Sequence, residues 1–250
     1  MNEEQINQDE EYDFPYHYIP SFRADFIHSL SWGWSKNYTS AIEFVLKEVE
    51  KELENTSTLF DIGCGDGRLT RELNIEFSEL KIMGVDYSSK AIALAKAMNP
   101  NMQFLNADIT TKEFDLKCDA LTLIEVFEHI PLDFCNDFVE ALSQMLNRNG
   151  VIFLTVPSTN MEVSYKHSQH FTLALLEEYF GKYFHVEDMK YIQRGSFFLK
   201  LIYKFTHNSF YILNHKGLNN FLYNLYKKRY FDANENNAER IYVKLRKKEK

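Results

Sequence analysis

The chain has 250 residues, 45% of them apolar and 26% charged, the make-up of a soluble globular protein with room for a sizeable core. Its net charge of −8 is uneven: residues 190–250 hold 14 Lys and Arg against 4 Asp and Glu, so the first 189 residues carry −18, an acidic body that disfavours bulk nucleic-acid binding. Three cysteines (Cys64, Cys118, Cys135) without C-x-x-C spacing exclude a disulfide frame or zinc site and read as reduced cytosolic thiols, and no stretch reaches the roughly 18 apolar residues of a membrane helix.

The chain opens on MNEEQINQDEEYD, acidic, polar and expected to be disordered; a secretory signal needs positive charge and then an apolar run. Phe14–Tyr38 is crowded with aromatics and has no clean period. A helix is expected over 39–53, with Thr39 or Ser40 as cap and Glu43 three residues past Ser40. Apolar runs then recur at 58–62, 81–86, 102–106, 119–126 and 150–156, several apolar on consecutive positions as doubly covered strands are. Between most of them lie the helix-like RLTRELNIEF, SSKAIALAKAM and LDFCNDFVEALSQML. Alternating strand and helix predicts an α/β fold, a parallel sheet with right-handed crossovers.

The first strand runs into LFDIGCGDGRLT. A P-loop would need Lys and Ser/Thr after its glycines, and a dinucleotide fingerprint would need glycine where Arg68 stands. What is present is Gly63, Gly65 and Gly67, which let backbone N–H groups approach a ligand at the carboxyl edge of the sheet. A tight turn without ligand is the alternative. Asp86 ends the second strand 19 residues after Gly67, placed to hold ribose hydroxyls, and Asp108 follows the third. Either acid alone would serve as a helix cap. Three glycines and two acids after successive strands are harder to explain that way.

Together these segments resemble the class I S-adenosylmethionine-dependent methyltransferases over about residues 55–190. LFDIGCGDG matches that family's first motif, GVDYSS its second-strand acid motif, NADIT its adenine-side motif and CDALTLIEVFEHI its fourth-strand motif. LNRNGVIFLTVPS matches the segment into the fifth strand, with Asn147-Arg148-Asn149-Gly150 in place of a Lys-Pro-Gly-Gly-like turn. The resemblance implies a Rossmann-like sheet, mostly parallel with the last strand antiparallel, and S-adenosylmethionine as cofactor. It implies that Asp61 and the Gly63–Gly67 loop cradle the methionine end and ribose. Asp86 with Tyr87 would clasp the ribose, Asp108 and Ile109 would frame the adenine, and Glu125 would orient the cofactor. Intact glycines and acids argue against a non-catalytic binding protein.

EVFEH puts Glu125, Glu128 and His129 at the ligand edge of the sheet. Methyl transfer to a hydroxyl needs alignment and a proton acceptor, and histidine has the right unperturbed pKa. His129, Glu128 and His170 are therefore the candidate catalytic residues, with His129 or His170 as base. Alternatively Glu125, Glu128, His129 and His170 would hold a divalent metal, Mg, Mn or Zn, that lowers the acceptor's pKa. The E-x-x-E-H spacing resembles metal-using O-methyltransferases of ubiquinone synthesis and of small-RNA 3′ ends; the latter place a further ligand where KHSQHFT supplies His167 and His170. An RNA 2′-O-methyltransferase is disfavoured by the acidic body and by QHFTLALLEEYF, which lacks the FEW sequence usual after that histidine.

Beyond the core, 183–192 and 240–247 fit the family's last two strands. Between them, 195–231 holds 11 aromatics, and 189–231 holds 8 basic residues and no acid. Such an insertion caps the active site in this fold and selects substrate. Its mix also suits a membrane surface or the contact of a homodimer. The expected layout is a tail and aromatic lid with a helix (1–54), the cofactor-binding core (55–194), a basic aromatic helical insertion (195–231) and the last strand with its tail (232–250). The expected partner is a small-molecule, saccharide or lipid-linked acceptor rather than nucleic acid. The expected location is cytoplasmic, with peripheral contact at the inner face of the membrane.

Overall fold

A strand covered by helices on both sides is apolar at consecutive rather than alternate positions, and TLFDI, DALTLI and VIFLTV are mostly so. They form the centre of the sheet in a computed structural model, which describes residues 15–19, 32–54, 57–111, 116–164 and 167–249 apart from 207, 209 and 214. The strands are β1 Thr58–Ile62, β2 Lys81–Asp86, β3 Gln103–Asn106, β4 Cys118–Ile124, β5 Leu146–Pro157, β6 Phe184–Arg194 and β7 Ala238–Lys247. They lie in the order β3-β2-β1-β4-β5-β7-β6. β1 pairs in parallel with β2 and β4, β2 with β3 and β4 with β5, while β7 enters antiparallel between β5 and β6. This is the expected Rossmann-like methyltransferase sheet. The order reverses between β1 and β4, so a crevice opens at their carboxyl ends.

Helices α1 Trp32–Glu52, α2 Arg68–Glu76, α3 Ser89–Met98, α4 Cys135–Met145 and α5 Leu173–Phe180 cover the sheet. On one face Leu121, Leu123, Ile152 and Leu154 meet Phe138, Val139 and Leu142 of α4 and Leu176 and Phe180 of α5. On the other, Leu59, Ala120, Val151 and Phe153 meet Ile42, Val45 and Val49 of α1 and Leu69 and Leu73 of α2. The insertion forms α6 Phe197–Thr206 and α7 Lys216–Arg229. Among the described residues no helix is long and apolar enough to cross a membrane. Cys64, Cys118 and Cys135 are free and buried, and burial pushes the Cys118 thiol up to about 12 and the Cys135 thiol to about 11.

Several boundaries differ from expectation. α1 begins at Trp32, inside the aromatic stretch, and Thr39 and Ser40 do not cap it. Their hydroxyls donate to the carbonyls of Ser35 and Asn37 within the helix. Within its first turns Trp34 stacks on Tyr38 at 5.1 Å. The Asn147–Gly150 turn is drawn into β5, where the register slips between Cys118 and Ala120 and Asn149 takes a φ of 61°. The acidic tail at 1–13 and most of the proposed lid, 20–31, lie outside the described residues.

Candidate active site

The crevice is a cavity of about 940 Å³ at the carboxyl ends of β1, β2, β4 and β5. Its first half begins at the glycine loop. Gly63 and Gly67 adopt φ of 68° and 81°, a region that disfavours any Cβ. A Cβ on Gly63 would also come 2.6 Å from a Val126 methyl carbon. The loop is held by Asp86, whose carboxylate accepts from Gly65 N–H at 2.9 Å and from Ser88 N–H at 2.9 Å. Asp61 lines the cavity but is tied down beneath it, accepting from the hydroxyls of Thr122 at 2.8 Å and Thr70 at 2.7 Å. Burial, and then the charge of Asp86, push its pKa up to about 6. Tyr87, Asp108 and Ile109 also line this half, where Asp108 accepts from the N–H and hydroxyl of Thr110.

The second half is built after β4. Phe127, fully buried, packs at 5.3 Å from Phe171 and 5.0 Å from Phe180, and so pins the 3-10 turn Phe127–His129. That anchor leaves Glu128 and His129 lining the cavity. Glu128 is 1% exposed, and neither of its carboxylate oxygens has a hydrogen-bond partner among the described residues. Burial, reinforced by the charge of Glu125, holds its pKa well above the ordinary carboxylate range. An isolated buried carboxylate is costly to ionise, so burial favours the protonated side chain until a cation or donor arrives.

Glu125 is engaged elsewhere. At a φ of 57° it turns toward β5 and β7, accepting from the Thr155 hydroxyl at 3.0 Å and pairing with Arg240 at 2.5 Å. Arg240 also donates to the Glu239 carbonyl at 3.2 Å. The carboxylates and imidazoles that come together are Glu128, His129 and His167, with one ligand atom from each within 4.8 Å of the others. This corrects the expected metal set of Glu125, Glu128, His129 and His170: Arg240 takes up Glu125, and His170 sits behind His167.

That arrangement defines tautomers. A carbonyl only accepts, so His170 Nδ1, 3.1 Å from the Met161 carbonyl, carries the proton. Burial lowers the His170 pKa, so the ring is neutral and Nε2 accepts from His167 Nδ1–H at 2.8 Å. His167 then carries its lone pair on Nε2. His167 lines the cavity and its ring lies 4.9 Å from that of His129, edge to face.

Two lining residues, Arg240 and Gln193, escaped the sequence analysis, and three more belong to the expected aromatic lid. Arg240 is the Lys or Arg that lines the cavity among the described residues. Gln193, at a φ of 62°, donates to the Asn37 carbonyl at 2.7 Å. His17, Trp34 and Tyr38 cluster over the opening, with His17 5.0 Å from Tyr38 and 3.0 Å from the Asp66 carboxylate. Alternation along β7 could have flagged Arg240; no sequence signal marks Gln193.

Residues 59–150 match the family model described as a methyltransferase domain. Trans-aconitate 2-methyltransferase of Escherichia coli (strain 55989 / EAEC) is 34% identical over 113 residues, 44% of this chain and 43% of that protein. The chain thus matches less than half the length of these curated relatives. In fold it is similar to N-methyltransferase NodS from Bradyrhizobium japonicum WM9 in complex with S-adenosyl-L-homocysteine, with a TM-score of 0.58 and 12% identity, covering 85% of this chain and 88% of that one. Coclaurine N-methyltransferase bound to N-methylheliamine and S-adenosyl-L-homocysteine gives 0.56 and 14%, covering 85% and 72%.

Proposed function

We propose that this chain is a class I S-adenosylmethionine-dependent methyltransferase that moves a methyl group onto a hydroxyl oxygen of a small-molecule, saccharide or lipid-linked acceptor. The carrying observation is Glu128, His129 and His167 gathered in the same cavity as the glycine loop and Asp86. A cavity of about 940 Å³ is within the range that takes a cofactor and a small acceptor together. The cofactor fits the first half: the glycine loop leaves space that a Cβ would fill, Asp86 stands at the ribose position and Ile109 offers an apolar wall. S-adenosylmethionine supplies an electrophilic methyl on a sulfonium.

The chain's own residues then align the acceptor and take its proton. His129 is the base, since its imidazole lines the cavity beside Glu128 and His167. His167 presents Nε2 as an acceptor to the same space, and His170 is its positioning residue rather than a base. Glu128 stands beside His129, where its carboxylate form stabilises the imidazolium that forms when His129 takes the hydroxyl proton. The polycarboxylate named for the curated relatives suits this half poorly: Arg240 is its one Lys or Arg among the described residues, and Glu125 already neutralises it. A neutral hydroxyl acceptor suits it better.

A second reading keeps the transfer and replaces the base by Mg, Mn or Zn on Glu128, His129 and His167, favoured by their 4.8 Å grouping. The test is transfer of labelled methyl into extracts fractionated by polarity, with wild type and His129→Ala. Label in hydroxyl-bearing products that vanishes with His129→Ala supports the proposal. Label on amine nitrogen, or undiminished transfer in the variant, contradicts it.

A further inference from the structure

Helix α6 shows water a broad apolar face beside a stripe of two lysines. Leu199 is buried against Leu222, Tyr223 and Tyr226 of α7, with Ile202 and Tyr203 packed on the same cluster. The other side presents Phe197, 82% exposed, with Phe198, Leu201 and Phe205, also exposed. The segment that follows adds Phe210, 94% exposed, and then Tyr211, Ile212 and Leu213. So many exposed aromatic and aliphatic side chains on one short segment are an aggregation hazard on a bare protein unless something covers them.

The charge around the patch selects the cover. Lys200 and Lys204 are exposed on α6 itself, Lys216 follows, and no acid occurs from 189 to 231, on a chain whose first 189 residues carry −18. Two copies of this face would set cation against cation with no carboxylate to pair. We propose that this face docks on an anionic lipid bilayer, with the Phe and Tyr rings at headgroup depth and the lysines against anionic headgroups. The same helices brace the active site. Tyr226 of α7 donates to Asn37 at 3.1 Å, and Gln193 N–H donates to the Phe231 carbonyl at 2.6 Å, with Asn37 and Gln193 both lining the cavity. Docking therefore engages the wall of the acceptor half and suits a lipid-borne acceptor, but it stands without reference to the reaction.

The experiment is co-sedimentation of the full chain with vesicles of phosphatidylcholine alone or mixed with phosphatidylglycerol, at low and high salt. The expected result is binding to the mixed vesicles that salt weakens. Lys200→Gln with Lys204→Gln should lower the partition coefficient about thirtyfold, the effect of two cations at an anionic surface. Phe205→Ser with Phe210→Ser should lower it about tenfold or more with an unchanged melting temperature, because both rings are exposed. No binding at low salt, or equal binding to neutral vesicles, overturns the proposal. So does self-association in analytical ultracentrifugation that the Phe substitutions abolish while vesicle binding is absent.

Discussion

The two halves of the cavity treat their polar groups differently. At the ends of β1 and β2 the carboxylates of Asp61 and Asp86 are saturated by Thr70, Thr122, Gly65 and Ser88. After β4, Glu128 is as deeply buried but has no donor among the described residues. A network already satisfied is stiff and holds one loop shape; a buried carboxylate without a partner is stable only when protonated or when a ligand completes it. Under the proposed function the first half is a preformed seat for the cofactor, and the second is completed by the acceptor.

The largest effect should come from the second half. His129→Ala should lower kcat by about 10²–10⁴-fold, the usual value of a general base, with cofactor affinity unchanged. His170→Ala should cost less and should broaden the pH profile, because it frees the His167 tautomer instead of removing a base. A His170 variant as damaged as the His129 variant would exchange their roles.

Next comes the first half. Asp86→Ala removes the partner of two backbone N–H groups, each charge-assisted bond contributing roughly 1.5–3 kcal/mol. Cofactor affinity by calorimetry should fall about a hundredfold or more. Unchanged affinity would mean that the loop does not need its clasp, and the seat would not be preformed in the way described.

Stability against pH separates the halves again. The folded-state pKa of Glu128 is raised above its ordinary 4.5, so its contribution favours the fold at acid pH and is lost as pH rises from the unfolded value through the folded one. Glu128→Gln should therefore melt at a relatively higher temperature than wild type above about pH 5, with the difference vanishing in acid. A wild type whose melting temperature rises over that window relative to the variant would show that Glu128 is ionised and paired. Arg240→Ala should act in the opposite direction, leaving the Glu125 carboxylate without its cation at a cost of about 3 kcal/mol, read as a lower melting temperature at neutral pH.

The smallest expected effect is that of chelation. With histidine as base, turnover should survive excess EDTA. Loss of turnover that Mg²⁺, Mn²⁺ or Zn²⁺ restores would put a metal on Glu128, His129 and His167 instead.

The same contrast decides what was legible in the amino-acid sequence. The sheet was, because doubly covered strands must be apolar at consecutive positions and the glycine loop announces its own geometry. Gly63, Asp86 and Asp108 could be placed because each follows a strand directly. The acceptor half is assembled from residues far apart in sequence. Glu125 reads as a ligand until Arg240 arrives from β7, more than 100 residues on, to neutralise it. His170 and His167 are equivalent by spacing, and only the Met161 carbonyl sets their order. The start of α1 was missed because the aromatic stretch before Thr39 has no clean period, and Thr39 and Ser40, which look like caps, bond back to carbonyls inside the helix.

The most direct measurement is calorimetric titration of S-adenosylmethionine into the Glu128→Gln, His129→Ala double variant, run beside labelled methyl transfer into extract. Cofactor affinity within about twofold of wild type, with transfer reduced by about 10² or more, is the predicted outcome. A double variant that has lost its cofactor affinity, or that still transfers methyl at the wild-type rate, would contradict the division of the cavity into a preformed seat and a poised acceptor site.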